Sequence, residues 1–130
     1  MKPETSGTQL KVLLVDDVGI FLVTYRRMFE RVGIKDVTAA KNGKEAVDLH
    51  RINGQSFDLI LMDKDMPIMN GIQATKELRS TGISSKIIGV SSSSREESNV
   101  QEFVEAGLDD YYMKPLTEEM LREILDKIKP

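Results

Sequence analysis

Residues 58–65 have the sequence Asp-Leu-Ile-Leu-Met-Asp-Lys-Asp, an apolar run that ends directly at carboxylates. The unbroken run 59–62 predicts a β-strand that is covered on both faces by other parts of the chain. Carboxylates that crowd the end of a buried strand repel one another and raise each other's pKa. Such a cluster is tolerable when a hard divalent cation or a phosphoryl group completes it, and Mg²⁺ suits oxygen ligands.

A second stretch repeats this arrangement near the start of the chain. Residues 11–15, Lys-Val-Leu-Leu-Val, lead directly into Asp16 and Asp17. The helix that follows is predicted by an apolar stripe at helical spacing. The stripe consists of Phe21, Tyr25, Met28, Phe29 and Val32.

Strand-like runs alternate with amphipathic helices along the whole chain. The predicted strands are 11–15, 36–40, 58–62, 86–90 and 110–113, and the helices after them end near Gly33, residue 52, Gly82, Gly107 and residue 128. Ser94 and Glu97 have the spacing of a capping box, which predicts the start of the fourth helix. Strict alternation predicts an α/β fold with a doubly wound parallel sheet and helices on both faces.

In such a fold the carboxyl ends of the strands lie at one edge, where ligands bind. Polar residues that follow the predicted strands should therefore meet at this edge. They are Asp16, Asp17, Asp63, Asp65, Ser91 and Lys114.

The composition excludes several classes of protein. The 130 residues fit one domain, and we expect a flexible tail at 1–9 and a folded domain at 10–130. A net charge of −3 argues against binding to nucleic acid. No apolar run suits a membrane span, and residues 1–10 lack the apolar core of a signal peptide. With no cysteine and one histidine, disulfides and the usual zinc sites are excluded, so we expect an intracellular protein.

The predicted site holds the groups that phosphoryl transfer to a carboxylate requires. Asp63 ends the most apolar strand and is the best-placed nucleophile, because carboxylates can form acyl phosphates. Asp16 and Asp17 are placed to hold Mg²⁺ or its water ligands. Lys114 can take up charge on the transferring group, and Ser91 can donate a hydrogen bond to its oxygens.

The complete set of motifs resembles the receiver domain of two-component response regulators. The residues that carry the resemblance are Asp16-Asp17, Asp63 followed by Met66-Pro67 and Asn70-Gly71, then Ser91 and Lys114-Pro115. The resemblance covers residues 10–129 and implies a flavodoxin-like sheet of five strands in the order 2-1-3-4-5 with five helices.

The same resemblance implies roles for individual residues. Asp63 would accept a phosphoryl group from a phosphohistidine on a partner protein. Asp17, Asp63 and the backbone carbonyl of Asp65 would bind Mg²⁺, and Asp16 would act mainly through metal-bound water. Ser91 and Tyr111 would form the switch pair that rearranges on phosphorylation.

Leu49-His50-Arg51 and residues 57–64 further resemble small stand-alone response regulators of plant phosphorelays. This implies a histidine-containing phosphotransfer protein or a histidine kinase as partner, in a pathway such as cytokinin signalling, in the cytoplasm and also the nucleus. The protein would be a phosphoacceptor that catalyses its own phosphorylation and dephosphorylation, not an enzyme with a separate substrate. Because the chain ends just after the fifth helix, we expect no output domain, and a monomer or weak dimer. Its output would be either docking to a partner or removal of phosphoryl groups from a shared donor.

Two alternatives remain open from the residues. Asp63-Lys64-Asp65 resembles the nucleophile motif of haloacid-dehalogenase-like hydrolases, which predicts a small Mg²⁺-dependent phosphatase; those enzymes, however, carry their paired aspartates late in the chain. A degenerate receiver that only binds partners is the other alternative. Lys64 is expected at the solvated surface, and His50 is expected to flank the core.

Overall fold

A computed structural model describes residues 10–128. The predicted flexible tail at 1–9 lies outside the described residues, as do residues 129–130. The strands are β1 (Lys11–Val15), β2 (Asp36–Ala40), β3 (Leu59–Asp63), β4 (Lys86–Ser91) and β5 (Asp110–Met113). The helices are α1 (Gly19–Arg31), α2 (Gly43–Arg51), α3 (Gly71–Ser80), α4 (Ser98–Glu105) and α5 (Glu118–Ile128).

The strands form one parallel sheet in the order β2-β1-β3-β4-β5, which confirms the predicted doubly wound fold. Every residue of β3 is buried, as its uninterrupted apolar sequence predicted. In the register of β3 and β4, Asp63 lies opposite Val90, and Ser91 lies opposite Met113 of β5. The residues that end β3, β4 and β5 are therefore brought to the same edge.

Each face of the sheet has its own apolar core. On one face, alternate β1 residues such as Leu14 pack with the stripes of α1 and α5, represented by Phe29 and Leu121. On the other, residues such as Leu13 pack with α2, α3 and α4, represented by Leu78. The two-sided cover explains why the central strands lack polar alternation. Among residues 10–128, no helix is long and apolar enough to cross a membrane.

The start of α4 differs from the prediction. The spacing of Ser94 and Glu97 placed the N-cap at Ser94, but the helix begins at Ser98. Ser94 N–H does donate to the Glu97 carboxylate (3.1 Å), and Glu97 N–H donates back to the Ser94 carbonyl (3.2 Å). These local bonds close a turn before the helix, since such side-chain bonds stabilise turns as readily as helix starts.

Candidate functional site

Three carboxylates converge at the carboxyl edge of the sheet. Asp16 and Asp17 follow β1, and Asp63 is the last residue of β3. One oxygen of each lies within 4.8 Å of the others. Asp16 and Asp63 are buried, whereas Asp17 is exposed to solvent. The predicted convergence of these residues is confirmed by their positions in the fold.

Lys114 holds the two buried carboxylates together. Its Nζ lies 2.9 Å from Asp16 Oδ2 and 3.2 Å from Asp63 Oδ1. Its backbone N–H donates to the Ser91 carbonyl (2.7 Å), which fixes the end of β5 against β4. Burial opposes the charge of Lys114, but the bond to Asp16 and the charge of Asp63 outweigh it and raise the pKa of the lysine. Lys114 is therefore a fixed cation beside Asp63.

The surroundings of Asp63 disfavour its charged form. Burial raises its pKa to about 6, and the neighbouring charge of Asp16 adds to this effect, although Lys114 opposes it. Asp16 is committed on both oxygens, because Oδ1 accepts from Val18 N–H (2.9 Å) while Oδ2 meets Lys114. A second cation would relieve the remaining repulsion between these carboxylates.

Ser91 and Tyr111 lie on neighbouring strands beside the carboxylates. The Ser91 side chain is buried, and its hydroxyl accepts from Ser93 N–H (3.2 Å). Tyr111 is also buried, with its hydroxyl donating to the Ser93 carbonyl. Arg95 donates to the Tyr111 carbonyl (2.8 Å), and its guanidinium lies 5.5 Å from the ring centroid. The ring is therefore held inside the fold in this structure.

Lys64 and Asp65 follow Asp63 in the sequence, but neither side chain belongs to the carboxylate cluster. The Asp65 side chain is 73% exposed, and among the described residues the cluster contains Asp16, Asp17 and Asp63 without it. The role implied for the Asp65 carbonyl stays a prediction. Lys64 was expected at the surface, which is wrong, because its side chain is only 3% exposed and pairs with Asp65 at 3.6 Å.

Gly71 packs directly against the backbone of Asp63, a contact that the sequence pattern did not predict. Asn70 and Gly71 were interpreted as part of a motif and the start of α3. In the structure Gly71 N–H donates to the Lys64 carbonyl (2.9 Å), and a Cβ at this position would lie 2.0 Å from the Asp63 carbonyl oxygen. The backbone of α3 therefore supports the residue that ends β3, which only glycine permits.

His50 flanks the core as predicted. Its Nδ1 lies 2.8 Å from the Ala46 carbonyl oxygen, and its ring meets Phe57 edge-on. One ring nitrogen of His50 is thus satisfied by the backbone, whereas Nε2 is buried without a hydrogen-bond partner among the described residues.

The sequence of residues 12–126 matches the family model described as the response regulator receiver domain. The chain belongs to this receiver family. The chain is similar to two-component response regulator 24 of Arabidopsis thaliana, with 48% identity over 126 residues, which cover 97% of this chain and 88% of that protein. It is also similar to two-component response regulator ORR41 of Oryza sativa subsp. japonica, with 40% identity over 121 residues, 92% of this chain and 94% of that protein.

A solved receiver structure bears on the carboxylate cluster. The receiver domain of sensor histidine kinase PA1611 from Pseudomonas aeruginosa has a TM-score of 0.78 and 28% identity, with 91% of this chain and 95% of that chain covered. That structure is described with a magnesium ion coordinated in its active-site cleft. In the present receiver, Asp16, Asp17 and Asp63 form the acidic cluster typical of receiver Mg²⁺ sites. The hydrolase alternative is not supported by these comparisons.

Proposed function

We propose that this receiver accepts a phosphoryl group on Asp63 from a phosphohistidine of a partner protein, with Mg²⁺ as cofactor. The observation that carries the proposal is the position of Asp63 at the end of a fully buried strand, 3.2 Å from a lysine and within 4.8 Å of two further carboxylates. A buried carboxylate with a cation and a metal-binding cluster beside it is equipped to form an acyl phosphate.

The reaction requires an in-line displacement at phosphorus. A carboxylate oxygen of Asp63 forms the new O–P bond, the P–N bond to the donor imidazole breaks, and its electron pair returns to the ring nitrogen. Lys114 stabilises negative charge on the phosphoryl oxygens, because its donors lie at the acceptor carboxylate. Ser91 would donate its hydroxyl to another phosphoryl oxygen.

The donor set fits Mg²⁺. Asp16, Asp17 and Asp63 supply hard oxygen atoms, and exposed Asp17 leaves room for the water ligands that Mg²⁺ usually keeps. When bound, the ion would neutralise charge between the acceptor and the incoming phosphoryl group. The backbone carbonyl of Asp65 is proposed as a further ligand. This arrangement would let the protein catalyse its own phosphorylation and dephosphorylation without being an enzyme for a separate substrate.

Intact-protein mass spectrometry after incubation with Mg²⁺ and a small acyl-phosphate donor tests the proposal. We expect one phosphoryl adduct in the wild type, and none in Asp63→Asn or in the presence of a metal chelator. Asp65→Asn is the matched control, because it changes an exposed neighbouring carboxylate but keeps the backbone carbonyl. If the adduct is lost in Asp65→Asn but persists in Asp63→Asn, the phosphoacceptor is not Asp63.

A phosphorylated donor protein tests the partner. We propose a histidine-containing phosphotransfer protein or a histidine kinase, supported by the similarity to plant response regulators. Transfer of label from a phosphohistidine donor to the wild type, but not to Asp63→Asn, is the expected result. We also propose that the protein acts in a plant phosphorelay such as cytokinin signalling, in the cytoplasm and also the nucleus. If the affinity for the partner is the same with and without Mg²⁺ and in Asp63→Asn, the result would favour a receiver that only binds partners.

A further inference from the structure

Besides its two carboxylate partners, the ammonium group of Lys114 contacts an aromatic ring. Lys114 Nζ lies 4.1 Å from the centroid of the Phe21 ring. Cations within about 6 Å of a ring centroid are attracted by the negative face of the ring. With Asp16 Oδ2 at 2.9 Å and Asp63 Oδ1 at 3.2 Å, the lysine is held by two anions and one neutral ring.

Phe21 is itself held in place from two directions. Its ring stacks on Tyr25, one helical turn further along α1, with centroids 5.8 Å apart and planes inclined by 24°. Tyr25 is only 4% exposed and belongs to the core between the sheet and α5. The start of α1 is tied to the site, because Val18 N–H donates to Asp16 Oδ1. The Phe21 ring is therefore a supported part of the site.

Tyr25 connects this aromatic pair to the carboxylates. Together with Asp16 and Asp63 it lines a cavity of about 10 Å³. One ring of the stacked pair, Tyr25, therefore shares this cavity with the two buried carboxylates, while the other, Phe21, lies against Lys114. A change in the pair would be transmitted to the lysine without altering any carboxylate.

A neutral ring suits a lysine that must change partners during the reaction. In the unphosphorylated protein, two carboxylates accept from the ammonium group. After transfer, phosphoryl oxygens need those same donors. The ring attracts the cation without adding negative charge, so it can hold the nitrogen beside Asp63 while the hydrogen-bond partners change.

We propose that Phe21 is a positioning residue for phosphoryl transfer, whose ring face holds Lys114 Nζ beside Asp63. The inference rests on the proposed function of Asp63 as phosphoacceptor. Phe21 makes no bond to the phosphoryl group and acts through the lysine alone. Loss of the ring should therefore slow transfer by about threefold to tenfold, the range expected for one cation–ring contact.

Two measurements on Phe21→Leu test this role. The first is the phosphorylation rate against acyl-phosphate concentration, in which the maximal rate should fall while the half-saturating concentration stays unchanged. The second is the NMR shift of the Lys114 ε-methylene protons, which the ring should displace upfield in the wild type. We expect this displacement to disappear in Phe21→Leu, and both the displacement and the rate to be restored in Phe21→Tyr, which keeps the ring face.

Tyr112→Leu is the matched control, because it removes a second lysine–ring contact, that of Lys127 at 5.7 Å. Lys127 pairs with Asp110, which is not part of the Asp16, Asp17 and Asp63 cluster. It should leave the phosphorylation rate unchanged. Phe21→Met is a second ring-free variant if Phe21→Leu fails to fold, as judged by urea unfolding. Wild-type rates in a folded ring-free variant would overturn the proposal for Phe21 alone.

The NMR measurement separates this proposal from the proposed function. If the wild type is never phosphorylated, the acceptor function fails, and the shift still decides whether the ring holds Lys114. An identical Lys114 shift in the wild type and Phe21→Leu would overturn the positioning role under either result.

Discussion

Replacement of Asp63 by asparagine should stabilise the fold in the absence of divalent cations, although it removes the proposed phosphoacceptor. Burial, aided by the charge of Asp16 and opposed by Lys114, raises the pKa of Asp63 from 3.8 to about 6. Because the pKa is higher in the folded than in the unfolded chain, ionisation of Asp63 weakens the fold. The wild type should therefore have its full stability below about pH 4, where Asp63 is neutral in the folded and the unfolded chain. It should lose stability as the pH rises through about 6, where Asp63 ionises in the folded chain.

The magnitude follows from the pKa. A rise from 3.8 to about 6 corresponds to about 3 kcal/mol in favour of the neutral form. Solvent at the open edge of the site screens part of this energy, so we expect asparagine to stabilise the protein by about 1–2 kcal/mol at neutral pH. Asparagine is nearly isosteric, and Lys114 keeps Asp16 as a partner at 2.9 Å, so no buried charge is left unpaired.

Urea unfolding with a metal chelator, from about pH 4 to pH 8, measures this effect. The difference between Asp63→Asn and the wild type should be near zero at low pH and grow to a plateau, where the urea midpoint shifts by about 1 M. Asp36→Asn, at the exposed start of β2, is the matched control and should change little. An Asp63→Asn protein that is less stable than the wild type at neutral pH would refute the reasoning, as would a difference independent of pH.

Further substitutions test other contacts of the site. Lys114→Ala should leave Mg²⁺ binding measurable by calorimetry but slow labelling of the acceptor by about a hundredfold, and wild-type labelling would remove the lysine from the mechanism. Gly71→Ala places a methyl group 2.0 Å from the acceptor's carbonyl oxygen and should destabilise the fold by about 1–3 kcal/mol in urea. Gly19→Ala, where the added methyl meets open space, should not destabilise it, and equal losses would contradict the close approach at Gly71. Arg95→Ala removes two of the contacts that hold Tyr111, the bond to its carbonyl and the guanidinium beside its ring, and should make the ring more mobile, which unchanged ring-proton NMR signals would disprove.

Local patterns in the amino-acid sequence were enough to locate the strands and the edge of the sheet at which the site lies. An apolar run that ends at Asp63 marks both a buried strand and its carboxyl end, and parallel strands bring such ends to one edge. The same argument placed Asp16 and Lys114. The strand order came from the family resemblance, because alternation alone does not determine which strands become neighbours.

Contacts between side chains from distant segments could be read from the folded chain and not from its sequence. Phe21 was predicted as one residue of a core stripe, but its ring lies against Lys114. Lys64 was expected in solvent, but it is buried where Gly71 N–H bonds its carbonyl. Periodicity records which face of an element is apolar, whereas these contacts depend on how two elements approach each other, which no local pattern contains.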